Sequence, residues 1–343
     1  MTGVIWLVRR QQRAFLWTFA ALVVAIAAYI VWQRVEMAGY LRDHGIDGCA
    51  DWRTYCHGKR ITGERGSGPL ADAYFHVYDT YRPRLLGTGR LLLALPVVAG
   101  VFAGAPLIAR ELESGTYRLV WTQSVSRTRW LAAKLALPTA ALLAGTAVLA
   151  ALYTWWWRTA RAITVTDVAW GTAVPFDASG PALVSLTALC FLLGAALGLV
   201  IRRTLPAMAA TLAATVGVLY GLGALRPNLM PTRTLVSNAH GDFGAIPRHV
   251  FYTSWRGIGH GYLTRSGQKI PWDRCSLADG ADAMVSCFTR LGSTGRHYED
   301  IHPASHFWPL QWIQAGICLA AALALAAFCV RWIRRRPTGK AAA

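Results

Sequence analysis

Ala109–Lys134 reads ARELESGTYRLVWTQSVSRTRWLAAK, a polar, basic and turn-punctuated segment set between two long apolar runs. Lipid offers its turn backbone and its charges no partner, so the segment lies outside any hydrocarbon layer and separates two membrane spans. Glu111 and Glu113 follow directly on the first run, and Ser114-Gly115-Thr116 is a helix break ending in a capping residue. From Thr116, a helix of about two turns puts Tyr117, Val120 and Trp121 on one face and Arg118 and Thr122 on the other. That is the pattern of a small amphipathic helix lying parallel to a membrane. Ser126 then caps a second helix entered through Arg127, Thr128 and Arg129, with Trp130 at the interface and Lys134 snorkelling as the next span begins.

Working outward, the 343 residues are 54% hydrophobic and 15% charged, far from the roughly 25% charged of soluble domains. Several apolar runs approach or exceed the roughly 18 residues that argue for a bilayer span. The expected fold class is an all-α polytopic membrane protein, a single transmembrane domain over 1–343, with six spans at about 15–32, 88–109, 131–157, 181–201, 207–225 and 306–330. Residues 33–84 and 226–305 are the two large extracytoplasmic loops, and 110–130 is the cytoplasmic one. The first run is too long for the apolar core of a cleaved signal peptide, so it is read as a retained helix.

The net charge of +18 invites a nucleic-acid reading, which its distribution removes. With both termini inside, and with Lys134 and Arg90 at the span ends counted with the adjoining loops, the short inside segments hold 15 Lys/Arg against 2 acids, and the longer outside segments hold 20 against 15. An excess of basic residues on short inside loops is the positive-inside pattern. The implied partner is therefore a lipid bilayer and not nucleic acid.

Local patterns refine the plan. Pro96 and Pro106 each remove a backbone bond within the second span, and with Gly100 and Gly104 they mark candidate bending points. The Gly100–Gly104 spacing also admits close approach of another helix, and Gly194–Gly198 and Gly217–Gly221 repeat that spacing, each alone a weak signal of close packing. Trp155, Trp156 and Trp157 read as an interfacial aromatic belt. Leu70, Tyr74, Val77, Tyr78 and Tyr81 recur at helical steps and describe an amphipathic helix on the membrane face or packed on an external element.

Of seven cysteines, Cys190, Cys318 and Cys329 fall in spans and four fall in the outside loops. Cys49 with Cys56 and Cys275 with Cys287 are the favoured local pairs, although spacing does not exclude the other connectivities. His297, His302 and His306 lie near Glu299 and Asp300, but Pro303 interrupts them and no zinc spacing is present, so no metal site is expected.

The chain has no G-x-x-x-x-G-K-[ST] sequence; its nearest Gly-rich stretch, GERGSG at 63–68, lacks the lysine. Neither G-x-S-x-G nor H-E-x-x-H occurs, so the chain is not expected to be an enzyme or to bind a cofactor. No acid lies mid-span, which disfavours coupling to a proton or sodium gradient. A transporter of this kind takes its energy from a partner.

The run ELESGTYRLVWTQSVSRTRWLAAK resembles the cytoplasmic loop between the second and third spans of type-two ABC exporter permeases, and the six-span plan with both ends inside is similar to theirs. The resemblance implies that Glu111, Glu113, Gly115, Thr116, Ser126, Arg127 and Lys134 match the family's pattern, while Tyr117, Arg118, Trp121 and Gln123 join them only by lying within the loop. It implies a coupling helix docked on a separately encoded cytoplasmic ABC ATPase, which would hold the ATP and magnesium. It implies a homodimer or a pairing with a similar permease, in the cytoplasmic membrane of a bacterium. The long outside loops depart from a minimal permease and leave the substrate open. The alternative from another class is a membrane-anchored extracytoplasmic binding or sensing protein without transport activity.

Overall fold

The computed structural model describes residues 12–47, 55–56, 59–60, 69–115, 126–161, 168, 170–237, 254–276 and 280–335. Six of its helices are long and apolar enough to cross a membrane. In chain order the elements are α1 (Arg13–Asp43), the hairpin strands β1 (Tyr55–Cys56) and β2 (Lys59–Arg60), α2 (Ala71–Ser114), α3 (Arg127–Arg161), the short α4 (Ala173–Asp177), α5 (Gly180–Ile201) and α6 (Thr204–Asn228). They continue with β3 (Arg233–Val236), β4 (Trp255–Thr264), β5 (Lys269–Pro271), α7 (Ala281–Arg290), β6 (Ser293–His302) and α8 (Ala304–Arg335).

α5 is the axis of the bundle. The apolar window of α5 is 72% buried, against 11% for the windows of α1 and α6, and α5 packs on α2, α3, α6 and α8. Its sequence explains the position, because Gly194 and Gly198 remove the side chains that would keep α2 away. A Cβ on Gly194 would meet the carbonyl of Gly100, one on Gly198 the carbonyl of Ala105, and one on Gly104 the carbonyl of Phe191. The two small-residue stripes thus face each other and let the backbones touch, whereas Gly217 and Gly221 have nothing within 4 Å. Gly104→Val is expected to lower the melting temperature through about 1–3 kcal/mol of overpacking, with Gly217→Ala near wild type in the same thermal melt. Equal melting of Gly104→Val and wild type would contradict this packing.

α2 is one long helix with two wider turns. Val77–Tyr81 and Ala99–Gly104 are π-helical, and the second of these lies between Pro96 and Pro106. A π turn absorbs a backbone irregularity within a helix, here beside two residues that cannot donate to it. The pattern at 70–81 is accounted for by packing. α1 extends to Asp43 and α2 begins at Ala71, so both helices run beyond the spans and bury Met37 and Leu41 with Tyr74, Val77 and Tyr81. Arg84 pairs with Glu36 at 3.2 Å across the same contact.

Two expectations need correction. The fold is mostly helical rather than all-α, because residues 233–302 include a four-stranded antiparallel sheet in the order β3-β6-β4-β5. Its longest pair, β4 on β6, runs through Gly257, Gly259 and Gly261, and a Cβ on Gly261 would strike the carbonyl of Ile270 on β5. Glycines required for that approach also erase the alternating pattern by which strands are recognised. The second correction concerns the tryptophan triplet. Trp156 and Trp157 are fully buried, Trp157 lying 5.0 Å from the Phe307 ring, and only Trp155 faces outward, beneath the Arg34 guanidinium at 4.6 Å.

Candidate functional site

The elbow between α2 and α3 is built from the helix ends inward. α2 stops because Gly115 takes the left-handed conformation at φ 72°, which glycine adopts without a Cβ penalty. One turn earlier, the Glu111 carboxylate pairs with the Lys134 ammonium of α3, and both side chains are largely withdrawn from solvent. The Lys134 ammonium also lies 5.2 Å from the Trp130 ring centre. Gln12, just ahead of α1, donates from Nε2 to the Lys134 carbonyl at 3.2 Å.

Glu113 reaches a third helix. Its Oε2 accepts from the Thr204 backbone N–H at 2.9 Å and from the Thr204 hydroxyl at 2.6 Å, so a carboxylate of α2 satisfies a donor at the N-terminus of α6. α5 and α6 meet there through Arg202 in a left-handed conformation, φ 60°. On the far side of the elbow, Ser126 Oγ faces the Arg129 N–H at 3.4 Å, and Arg127 opens α3 half-buried. Thr116, Tyr117, Arg118, Trp121 and Gln123 lie outside the described residues, as does Cys49. Of the proposed bending residues, Pro96 is buried within α2, Pro106 lies at the start of its last α-helical stretch, and Gly100 and Gly104 form the α5 contact.

Because consecutive spans reverse direction, the other end of the bundle gathers the end of α3, α4, the starts of α5 and α8, and the end of α6. A buried polar clasp sits there. Asp177, the last residue of α4, pairs with the Arg226 guanidinium of α6 and accepts from Gln314 Nε2 of α8 at 2.7 Å. Arg226 Nε donates to Gln314 Oε1 at 3.2 Å, and the guanidinium stacks 4.2 Å from the Phe176 ring. Gln311, one turn before Gln314, donates to the Phe176 carbonyl at 2.7 Å and accepts from the Ala182 N–H at 3.0 Å. Thr154 of α3 accepts from the Gly180 N–H at 3.1 Å. α4 is therefore tied by charge and hydrogen bonds to α6 and α8, and the start of α5 beside it is tied to α3 and α8. Sequence reading missed this constellation; its one local signal was a pair of glutamines three residues apart in an apolar span, FWPLQWIQAGI.

Cys275 and Cys287 are joined by a disulfide that ties the turn after β5 to α7. The three histidines separate. His297 lies 4.2 Å from the Tyr262 ring, whereas His302 contacts both the Pro227 carbonyl through Nε2 at 3.0 Å and His306 through Nδ1 at 3.1 Å. Among the described residues no three His, Cys, Asp or Glu side chains come together as a metal site requires.

Burial holds His302 below the ordinary imidazole range, with the Pro227 carbonyl working weakly against it. The folded state then binds fewer protons than the unfolded chain, so stability is lost as pH falls below about 6.5 toward the folded value. The groups facing His302 are His306 and, beyond it, Arg233, both of which oppose a new positive charge. A fall of a few degrees in melting temperature between pH 7.5 and pH 5 is expected, and it should be smaller in His302→Asn; identical pH profiles for the two proteins would exclude His302 as the cause.

Together, the six apolar helices and the elbow clamped to its neighbours define a multi-pass membrane protein of permease architecture, with no ATPase motif of its own. The family described as "ABC-2 membrane transporter related" matches residues 20–226, and the chain belongs to it. Those residues run from α1 to the Arg226 side of the clasp and include the whole elbow. Comparison with curated proteins and with solved structures yields no match.

Proposed function

We propose that this chain is the membrane-spanning subunit of an ATP-binding-cassette exporter in a bacterial cytoplasmic membrane, with both termini cytoplasmic. It works as a homodimer or paired with a similar permease, and a separately encoded ATPase binds ATP and magnesium and supplies the energy. The observation that carries this reading is the anchoring of the elbow. The helix ends that flank residues 116–125 in sequence are fixed to one another by Glu111–Lys134, and the α2 end is fixed to α6 by Glu113–Thr204.

A push on the elbow is therefore delivered to three spans at once. Movement of α2 carries α6 through the Glu113 carboxylate and α3 through the ion pair. The π turn at Ala99–Gly104, flanked by Pro96 and Pro106, is where α2 yields while its close contact with α5 holds. Glu111, Glu113, Gly115, Ser126 and Arg127 frame the coupling helix, and Thr116, Tyr117, Arg118, Trp121 and Gln123 belong to it.

The first test is whether an ABC ATPase is encoded beside this gene, and the second is its co-expression with this chain. Retention of that ATPase through purification, with ATP hydrolysis stimulated by a transported compound, is the expected result. Purification without any ATPase, combined with full function of a variant whose elbow is replaced by a Gly/Ser linker, would overturn the proposal in favour of a passive scaffold carrying an external module.

A further inference from the structure

An open cavity of about 600 Å³ lies beside the elbow, lined by the start of α1, the last turns of α2, the first turns of α3 and the middle of α5. Its size falls within the range of small-ligand sites. Its two ends differ in chemistry. Phe15 and Phe102 contribute an apolar wall, and Phe102 is 65% exposed, so that wall continues onto the outer face of the bundle where acyl chains lie. Gln12, Arg110, Glu111 and Lys134 line the polar end.

The balance at the polar end selects a head group. Lys134 and Glu111 neutralise each other, and Arg110 forms no ion pair among the described residues, which leaves one uncompensated positive charge. Two acceptors, Glu111 Oε2 and Gln12 Oε1, are buried without a donor. Gln12 is itself only 9% exposed. The terminal torsions of amides and carboxylates are broad, so each residue turns its free oxygen toward a ligand at little cost. An added ammonium would be repelled by Lys134 and Arg110, so the donors that suit these oxygens are neutral hydroxyls.

We infer that this cavity binds a bilayer lipid with an anionic, hydroxyl-bearing head group of the phosphatidylglycerol type. The phosphate meets Arg110, the glycerol hydroxyls donate to Glu111 and Gln12, and the chain leaves along Phe15 and Phe102. The inference does not rest on the transport reading, because it concerns binding by this chain alone. A bound lipid here would join the ends of α1, α2 and α3 next to the elbow.

The experiment uses the full chain in phosphatidylcholine nanodiscs, titrated with phosphatidylglycerol or phosphatidic acid of matched chains and read by native mass spectrometry. Saturable binding of one phosphatidylglycerol per chain is expected, about tenfold tighter than phosphatidic acid, the factor that one or two hydrogen bonds to buried acceptors supply. Gln12→Leu removes one of the two acceptors, so it should reduce the preference for phosphatidylglycerol over phosphatidic acid several-fold while leaving binding of the latter unchanged; an undiminished preference would overturn the assignment of the hydroxyl to Gln12. Arg110→Gln, at an exposed position, should weaken both relative to phosphatidylcholine. Equal affinity of the two anionic lipids for the native chain, or no preference for either over phosphatidylcholine, would overturn the assignment. So would competition by chain-free glycerol phosphate as strong as that of the lipid.

Discussion

Asp177→Ala is expected to lower the stability of the purified protein by roughly 3–5 kcal/mol, the largest effect of any single substitution considered. The Arg226 side chain is 3% exposed and Asp177 is the acid that balances it. Removing the carboxylate leaves a guanidinium buried without compensation, and Gln314 Nε2 loses its acceptor in the same step. The stacking of Arg226 on Phe176 survives but cannot replace a counter-charge. Because α4 reaches its neighbours through this clasp, the loss spreads to the packing of α6 against α8.

The check is the melting temperature in detergent, followed by Trp fluorescence. A second variant separates charge from volume: Asp177→Leu with Arg226→Met removes both ions and should recover most of the lost stability, as replaced buried pairs often do. An Asp177→Ala protein that melts with wild type would mean that water reaches Arg226 and the clasp carries little energy.

Why was this clasp invisible in the sequence when the elbow was not? Every residue of the elbow lies within 26 positions of the others, so break, cap and charge could be read as one local pattern. Asp177 and Arg226 are 49 positions apart, and Gln314 is 137 from Asp177. Each, taken alone, reads as a polar residue at the end of a span. The glycine stripes fall between these cases. Spacing marked Gly100–Gly104, Gly194–Gly198 and Gly217–Gly221 alike, and only the fold pairs the first two and leaves nothing among the described residues within 4 Å of the third.

The remaining differences have the same physical origin. Trp155, Trp156 and Trp157 occupy three successive directions around a helix, so they cannot share one interface. Two of them turn inward because α8 places Phe307 against Trp157. The sheet was passed over because the close approach of β4 and β5 demands glycine where a strand would otherwise show a side chain.

On the proposed function, Glu111→Lys is expected to lower ATP-driven transport at least about tenfold, which corresponds to a coupling loss of ~1.4 kcal/mol or more. The substitution sets two ammonium groups against each other where an ion pair joined α2 to α3, and Arg110 stands beside them. α2 and α3 then part at the elbow, so a push on residues 116–125 bends the loop instead of moving the spans. Glu113 still holds α6, and α5 still holds α2 through its glycines, so the bundle itself remains assembled. On the proposed function, ATPase binding should persist, because residues 116–125 keep their sequence, while hydrolysis no longer responds to the transported compound. The double variant Glu111→Lys with Lys134→Glu restores the pair in reverse and should recover a substantial part of transport. Recovery distinguishes a mechanical link from a simple requirement for an acid at 111. Transport by the single variant at the wild-type rate would show that energy enters the spans by some route other than this ion pair.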